Sequence, residues 1–566
     1  MKTGSAALSA PEAMVRIRMA MQQNDPVAAR SIAEQARRDH AGDAALADAA
    51  GDLALKAGDA AAAEAHFAAA CDIAPTLIDY AINRAIALQR LDRHGEAIAR
   101  LKTHEHAGRT MARYASVRAM SHRALADPAA AAKWYDAALA VEPERTRALH
   151  GRARVALERG EADAVARFDL ALRANPGDAD LWLGKAQALE VAGDIAGARI
   201  IAEQLCARAP GFIAALSLLS GLKLAAGETD FTSPFAEAAR KVPQDPNIPA
   251  AHAETLAGLD YAREAAEIAA NARKRFPAEP HFALLEAIHA GFAGEWDRAE
   301  AIFAELPADM PQRPLHEARH AIRGHQFARA EDRLVSALDA DPWDVTAWAH
   351  RGILWRLTDD PRAEWLHEQE GLIQVRPLVA RDGLIEECAA GLRTLHEGSA
   401  MPLGQSLRGG TQTRGILFHR TEPLLAELHE AILATLEEYR ANLPPADQAH
   451  PLLRHRDTPW ALAGSWSVRL TGGSDHHAAH VHYQGLISSA LYLVVPDEVT
   501  GPEQRGWLEI GRPKRSLHAD LPPLRVIQPE EGHLALFPST AYHGTTAFHA
   551  TERMTVAFDA VAVERK

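Results

Sequence analysis

Proline and glycine recur along the first two thirds of this chain at a nearly fixed interval, and that interval limits the fold more than any other feature. Prolines stand at 75, 143, 176, 210, 243, 277 and 342, separated by multiples of about 33 to 34 residues. Glycines at 58, 95, 160, 193 and 227 fall near the same spacing. The breaks share one texture: KAGDAAAAEAHF, RHGEAIARL, ERGEADAVARF, VAGDIAGARII and FAGEWDRAEAIF. Between them the chain is rich in alanine, leucine and arginine, and β-type runs are scarce. A unit of this length reads as a helix–turn–helix hairpin, which buries its apolar face only by stacking on its neighbours. Proline stops each second helix, because it lacks the amide donor and clashes with the preceding turn. Ala63, Ala97, Ala164 and Ala198 are small enough for close helix packing, and Phe67, Phe168 and Phe303 fill the grooves between neighbours.

This pattern resembles the tetratricopeptide repeat, in about eight or nine copies over residues 12–360, with degenerate copies near 210–250 and 310–345. The expected fold is an all-α solenoid whose concave face binds an extended protein or peptide. A scaffold or oligomerisation platform is the plainer alternative. With 566 residues the chain is too long for one ordinary core, so more than one domain is expected. A net charge of −14 argues against nonspecific binding to nucleic acid or to an anionic membrane. The cysteines, Cys71, Cys206 and Cys388, are too scattered for a disulfide framework or a zinc knuckle. The opening MKTGSAALSAPEAM has no long apolar core, and no apolar run approaches the roughly 20 residues of a membrane span, so a cytoplasmic location is expected.

From about residue 362 the texture changes. WLHEQEGLIQVRPL, RDGLIEECAAGLRTL and EPLLAELHEAILATLEEYRANL read as helices, and GQSLRGGTQTRG as a polar loop. That loop could touch a substrate or simply connect. After PPADQAHP come short β-type runs: SWSVRL, GLISSALYLVV, GWLEIG, HLALFP and RMTVAFDAVAV. Several short strands with few helices indicate a sandwich or barrel. The stretch DHHAAHVHYQG, residues 475–485, crowds four histidines together. On a strand, His480 and His482 would leave the same face, about 7 Å apart. His543 follows the strand HLALFP, and Arg553 opens the last run with Thr555 two residues on. Imidazoles from separate strands suit a metal, and a guanidinium fork suits a carboxylate.

The order HxH, strand, GxLxI, PxxGxLxxFP, His, ten residues, RxT resembles the Fe(II)- and 2-oxoglutarate-dependent oxygenases. It is most similar to the group that carries tetratricopeptide repeats ahead of the catalytic domain. The residues behind the resemblance are QSLRGGTQT, AHVHYQGLISSALYLVVP, GWLEIG, PEEGHLALFPSTAYHGTT and ERMTVAF. It implies a multidomain chain: the repeat solenoid at 12–360, then a double-stranded β-helix (jelly-roll) domain with flanking helices at 362–566. It implies Fe(II) held by His480 and His543, with His482 where relatives carry Asp or Glu. It implies 2-oxoglutarate as cosubstrate, bound by Arg553 and Thr555 and touched by Tyr492, although a core role for Tyr492 is equally open.

Three readings of His482 remain open: a third ligand, a residue orienting a water ligand, or a mark of a site without turnover. Asp475 could reach the metal only through a folded-back loop. The implied activity is hydroxylation of a protein or peptide presented by the repeats. The alternatives are a non-catalytic adaptor with a cupin-like C-terminal module, and a small-molecule oxygenase whose repeats only assemble oligomers. No GxSxG or P-loop lysine pattern competes. His476, His477, His518, His533 and His549 are expected at the surface or in local hydrogen bonds.

Overall fold

A computed structural model describes residues 8–399, 406–549 and 552–563. The first seven residues, and Gly404 and Gln405 of the glycine-rich loop, lie outside the described residues. The chain divides into two compact units, Met1–Lys185 and Ala186–Lys566.

From Ala10 to Leu357 the chain is helical, and ten consecutive hairpins form, against the eight or nine expected. The turns inside them explain the difference. Residues 24, 58, 92, 126, 160, 193, 227, 260, 294, 325 and 359 all have positive φ, 31 to 34 residues apart. The first ten lie two residues past the end of a hairpin's first helix, and Asp359 holds the same place after the helix Val345–Leu357. Only five are glycine; asparagine, aspartate, histidine and alanine hold the rest. A search for glycine therefore misses more than half of the turns. It also misplaces one, because Gly95 lies inside the helix His94–Lys102 and Asp92 makes the turn.

The Gly-Asp texture has a local cause. Glycine relieves the left-handed turn, and the next aspartate caps the following helix. Asp59 accepts from the Ala62 amide at 3.0 Å and Asp194 from the Gly197 amide at 2.8 Å. The prolines at 75, 176 and 210 each stand two residues beyond a second helix. Close packing follows the same rhythm: a Cβ on Gly184 would come within 2.3 Å of the Phe168 ring.

After Leu357 one π-turn, Glu364–Glu368, leads into strands. The strands are β1 (Gln374–Pro377), β2 (Leu407–Arg408), β3 (Thr411–Gln412), β4 (Trp460–Leu470), β5 (His476–His477) and β6 (Ile487–Val494). They continue with β7 (Leu508–Ile510), β8 (Arg525–Ile527), β9 (His533–Pro538), β10 (His543–Thr545) and β11 (Arg553–Ala562). QVRP is thus a strand rather than helix, and the glycine-rich loop carries two short strands. Both segments find sheet partners, β9 for β1 and β4 for β3, and those tertiary hydrogen bonds override local propensity.

A six-stranded antiparallel sheet runs β1-β9-β6-β11-β4-β3, a second runs β10-β7-β8, and β2 pairs with β5. Period-two alternation splits β11 cleanly. Met554, Val556, Phe558 and Ala560 join a core with the helices Leu384–Glu397 and Pro423–Ala441. Arg553, Thr555, Ala557 and Asp559 leave the other face and line a cavity. Each fully buried leucine or phenylalanine in that core contributes about 1.5–3 kcal/mol.

Buried neutral histidines tie the second unit together. His450 Nδ1 accepts from the Leu452 and Leu453 amides, both at 3.1 Å, so its Nε2–H donates to Leu366 O. His396 bridges Thr411 and Ser467 at 2.9 and 3.0 Å. Burial holds both down at about 4, and holds His367 and His350 down at about 3.

Two outcomes are expected. Ala126, at φ 57°, occupies a turn that prefers glycine, so Ala126→Gly should raise stability by about 1 kcal/mol and Gly160→Ala lower it by as much, read from denaturant midpoints. The unfolded chain binds protons at these histidines below about pH 6.5, whereas the folded chain resists protonation until about 3 to 4. Stability is therefore present above about pH 6.5 and falls progressively as the pH drops toward 4, by more than one proton's worth. Denaturation at stepped pH measures this, and a flat profile from pH 7 to 5 would contradict it.

Candidate functional site

The cavity has a volume of about 730 Å³ and lies wholly within the second unit. Its walls are the polar face of β11, the segment His477–Gln484, β10, and residues of the later repeats, among them Phe292 and Arg319. Helix Val345–Leu357 packs on the histidine-bearing segment: Ala349 and Ile353 meet Leu517, Tyr542, Ala479 and Val481.

Three histidines predicted from sequence meet here. The ligand atoms of His480, His482 and His543 lie within 4.8 Å of one another. His480 and His543 are joined by an antiparallel bridge whose two N–H···O bonds are both 2.9 Å. His482 is not on a strand. It lies in an irregular segment just before the turn at Tyr483–Gln484, and its Nε2 is 2.9 Å from that of His480.

Each Nδ1 is committed to an oxygen. His480 Nδ1 donates to Ala478 O at 2.8 Å, and His543 Nδ1 to Ala541 O at 3.2 Å. A carbonyl only accepts, so these Nδ1 atoms carry the protons and the Nε2 lone pairs stay available. His482 Nδ1 bonds Asp559 Oδ1 at 2.5 Å. Burial, with neighbouring histidines adding to it, holds His480 and His543 well below the usual imidazole range.

Converging neutral imidazoles with aimed lone pairs suit a divalent cation. Two nitrogens each about 2.1 Å from an ion at a right angle stand about 3.0 Å apart, close to the separation found here. The donor set thus fits a metal, and Asp559 would orient His482 from behind, as a carboxylate behind a ligating histidine does.

Arg553 and Thr555 are 2% and 5% exposed and line the same cavity. Tyr492 lies opposite Thr555 across β6 and β11, its ring centroid 5.4 Å from the Arg553 guanidinium carbon. The Tyr492 hydroxyl and Arg553 Nε are buried without a hydrogen-bond partner among the described residues. Burial pushes the Tyr492 hydroxyl up to about 12. A buried guanidinium with an unbonded Nε, set beside a buried phenol, suits an oxygen-rich anion.

Asp475 does not approach this group; it accepts from the Thr471 amide at 2.9 Å. His477, expected at the surface or in a local hydrogen bond, lines the cavity, its ring 6.0 Å from that of His480, and burial holds it down at about 3. Sequence reasoning also missed Ser406, whose Oγ is 3.2 Å from His480 Nε2, and Asp559. Ser406 lies in the glycine-rich loop that the sequence singles out, but nothing there points to Ser406 itself. Asp559 does: it continues the alternation of Arg553 and Thr555.

A family model described as "Putative 2OG-Fe(II) oxygenase" matches residues 464–559. The three histidines, Tyr492, Arg553, Thr555 and Asp559 all lie inside that span. A tetratricopeptide-repeat model matches residues 162–211. A search of curated proteins finds no match. Among solved structures, the chain is similar to a tetratricopeptide repeat protein from Parabacteroides merdae, with 20% identity over 43% of this chain and 96% of that one, and a TM-score of 0.35. Similarity to yeast Tom70 covers 68% of this chain and 95% of that one, at 14% identity and a TM-score of 0.31. The chain thus carries helical repeats followed by an antiparallel β region with an oxygenase-type match, which implies Fe(II) and 2-oxoglutarate. No helix among the described residues is long and apolar enough to cross a membrane.

Asp559→Asn keeps the shape but removes the charge behind His482. We expect metal affinity to fall about 10–100-fold with the fold intact, measured by competition with a chelator. Unchanged affinity would detach Asp559 from the site.

Proposed function

We propose that this chain is a 2-oxoglutarate- and Fe(II)-dependent oxygenase that hydroxylates a protein or peptide presented by its repeats. One observation carries the reading: three imidazole nitrogens converge in a cavity that also holds a buried, incompletely bonded arginine. The functional division would follow the change in texture, with repeats at 12–360 and the oxygenase domain at 362–566.

In this reading His480, His482 and His543 hold the metal through Nε2, with Asp559 keeping His482 in the required tautomer. Bound iron would supply the oxygen chemistry that couples decarboxylation of 2-oxoglutarate to hydroxylation of a C–H bond. The protein's own residues bind, orient and exclude water. Arg553 offers its guanidinium fork to the far carboxylate of the cosubstrate, and the Tyr492 hydroxyl donates a second bond. Thr555 supports that end from the same strand. Because burial keeps the Tyr492 proton in place and disfavours water, these charge-assisted bonds form in a low-dielectric pocket, where they are strongest.

Three measurements test the proposal. With Fe(II) and oxygen, the protein should convert 2-oxoglutarate to succinate. His480→Ala and His543→Ala should each abolish metal binding while retaining the circular dichroism of the wild type. Arg553→Gln should weaken 2-oxoglutarate binding about 100-fold and leave metal binding in place. Cosubstrate binding indifferent to Arg553, or partner binding indifferent to iron and 2-oxoglutarate without succinate formation, would replace the enzyme with an adaptor.

A further inference from the structure

The charge of the cavity does not match that of the chain. Overall the protein is acidic, at −14. Yet the cavity is lined by Arg319, Arg408, Lys514 and Arg553, against the single carboxylate of Asp559, which His482 occupies. Arg408 and Lys514 share one partner, Asp260. Arg319 forms no ion pair among the described residues; its Nε donates to His350 Nε2 at 3.2 Å. Arg323, one turn on, is 3% exposed, donates to Ser516 O at 2.7 Å, and has an Nη2 without a partner among the described residues. The face of Phe292, a lining residue, is approached by three cations: Arg323 at 4.0 Å, Arg319 at 5.6 Å and Lys514 at 5.7 Å.

The groups facing this cluster do not balance it. His289, His316 and His350 are held below the usual imidazole range, first by burial and then by the arginines. Burial lowers Arg323 itself to about 9. Asp344 attracts Arg319 only from beyond ion-pair reach. Desolvated guanidinium groups without a carboxylate are costly to maintain unless an anion arrives to meet them. In the proposed oxygenase, 2-oxoglutarate accounts for Arg553 and the metal and leaves this second cluster unused. The cavity volume also exceeds what so small a diacid fills.

We propose that the cationic wall of the cavity formed by Arg319 of the repeats and Lys514 of the C-terminal region receives an acidic side chain of a peptide substrate. The inference rests on the oxygenase reading for what happens next, but not for the docking itself. Arg319 comes from helix Arg313–Arg323, part of the repeats proposed to hold the peptide, and Lys514 from the segment before Arg515–Leu517 on the same cavity, so docking the acidic residue there sets its neighbours beside the histidines.

The test uses the full-length protein loaded with Zn(II) and 2-oxoglutarate, exposed to a randomised octapeptide library, with bound peptides read by mass spectrometry. Asp and Glu should be enriched over the input, and the enrichment should fade at high salt. Arg319→Gln and Lys514→Gln should each weaken an enriched peptide about tenfold, with Arg319→Lys recovering part of the loss. 2-Oxoglutarate binding should persist in all three variants. No acidic enrichment, or variants that bind the selected peptides as well as wild type, would overturn the proposal. Acid selection that persists while 2-oxoglutarate binding ignores Arg553 would sustain the docking site and remove the oxygenase reading alone.

Discussion

The site depends on three hydrogen bonds that face away from it. Ala478 O, Ala541 O and Asp559 each take one Nδ1 of the histidine trio. Without them the buried rings would be free to turn and to exchange tautomers. With them, three lone pairs are fixed toward one point in a cavity too dry to protonate His480 or His543 readily. The backbone bridge between His480 and His543 sets the same geometry at the level of the main chain. The convergence of the three rings is thus built from a short antiparallel contact and the irregular segment that follows it.

How much of this is legible in the sequence depends on whether a residue follows a local period. Arg553 and Thr555 are found by alternation, and the same step of two reaches Asp559, whose role depends on His482 lying across from it. The HxH motif is legible as a pair but not as a geometry. Strand spacing would set the two side chains about 7 Å apart, whereas in the irregular segment after His480 their ring centroids stand 4.9 Å apart and their Nε2 atoms 2.9 Å. His477, Ser406 and Arg319 follow no period. His477 and Ser406 lie in the histidine cluster and the glycine-rich loop that the sequence singles out, but only tertiary packing turns their side chains to the cavity, and nothing near Arg319 in the chain marks it.

The repeats teach a related lesson. Their period is fixed by the backbone, in the left-handed residue two places beyond each first helix. Sequence shows that position only where glycine takes it. Ala126, Asp260 and His325 adopt the same φ because stacking on both sides over-determines the turn. The hairpins near 210–250 and 310–345 are degenerate in composition for the same reason, and yet they form.

That degenerate end of the repeats is also where the array meets the chemistry. Tyr542, next to His543, reaches His350 at 3.3 Å, and His350 in turn takes a bond from Arg319. Arg323 and Arg356 donate to carbonyls of the 511–522 loop that closes the cavity. A repeat helix committed to such contacts keeps side chains that its own repeat logic would not select, such as arginine and histidine in place of small apolar residues. In the proposed metal site, the carboxylate that His482 replaces has a counterpart in charge. Asp559 places one negative charge behind His482, and the excess of positive charge lies across the cavity, where the proposed peptide would dock.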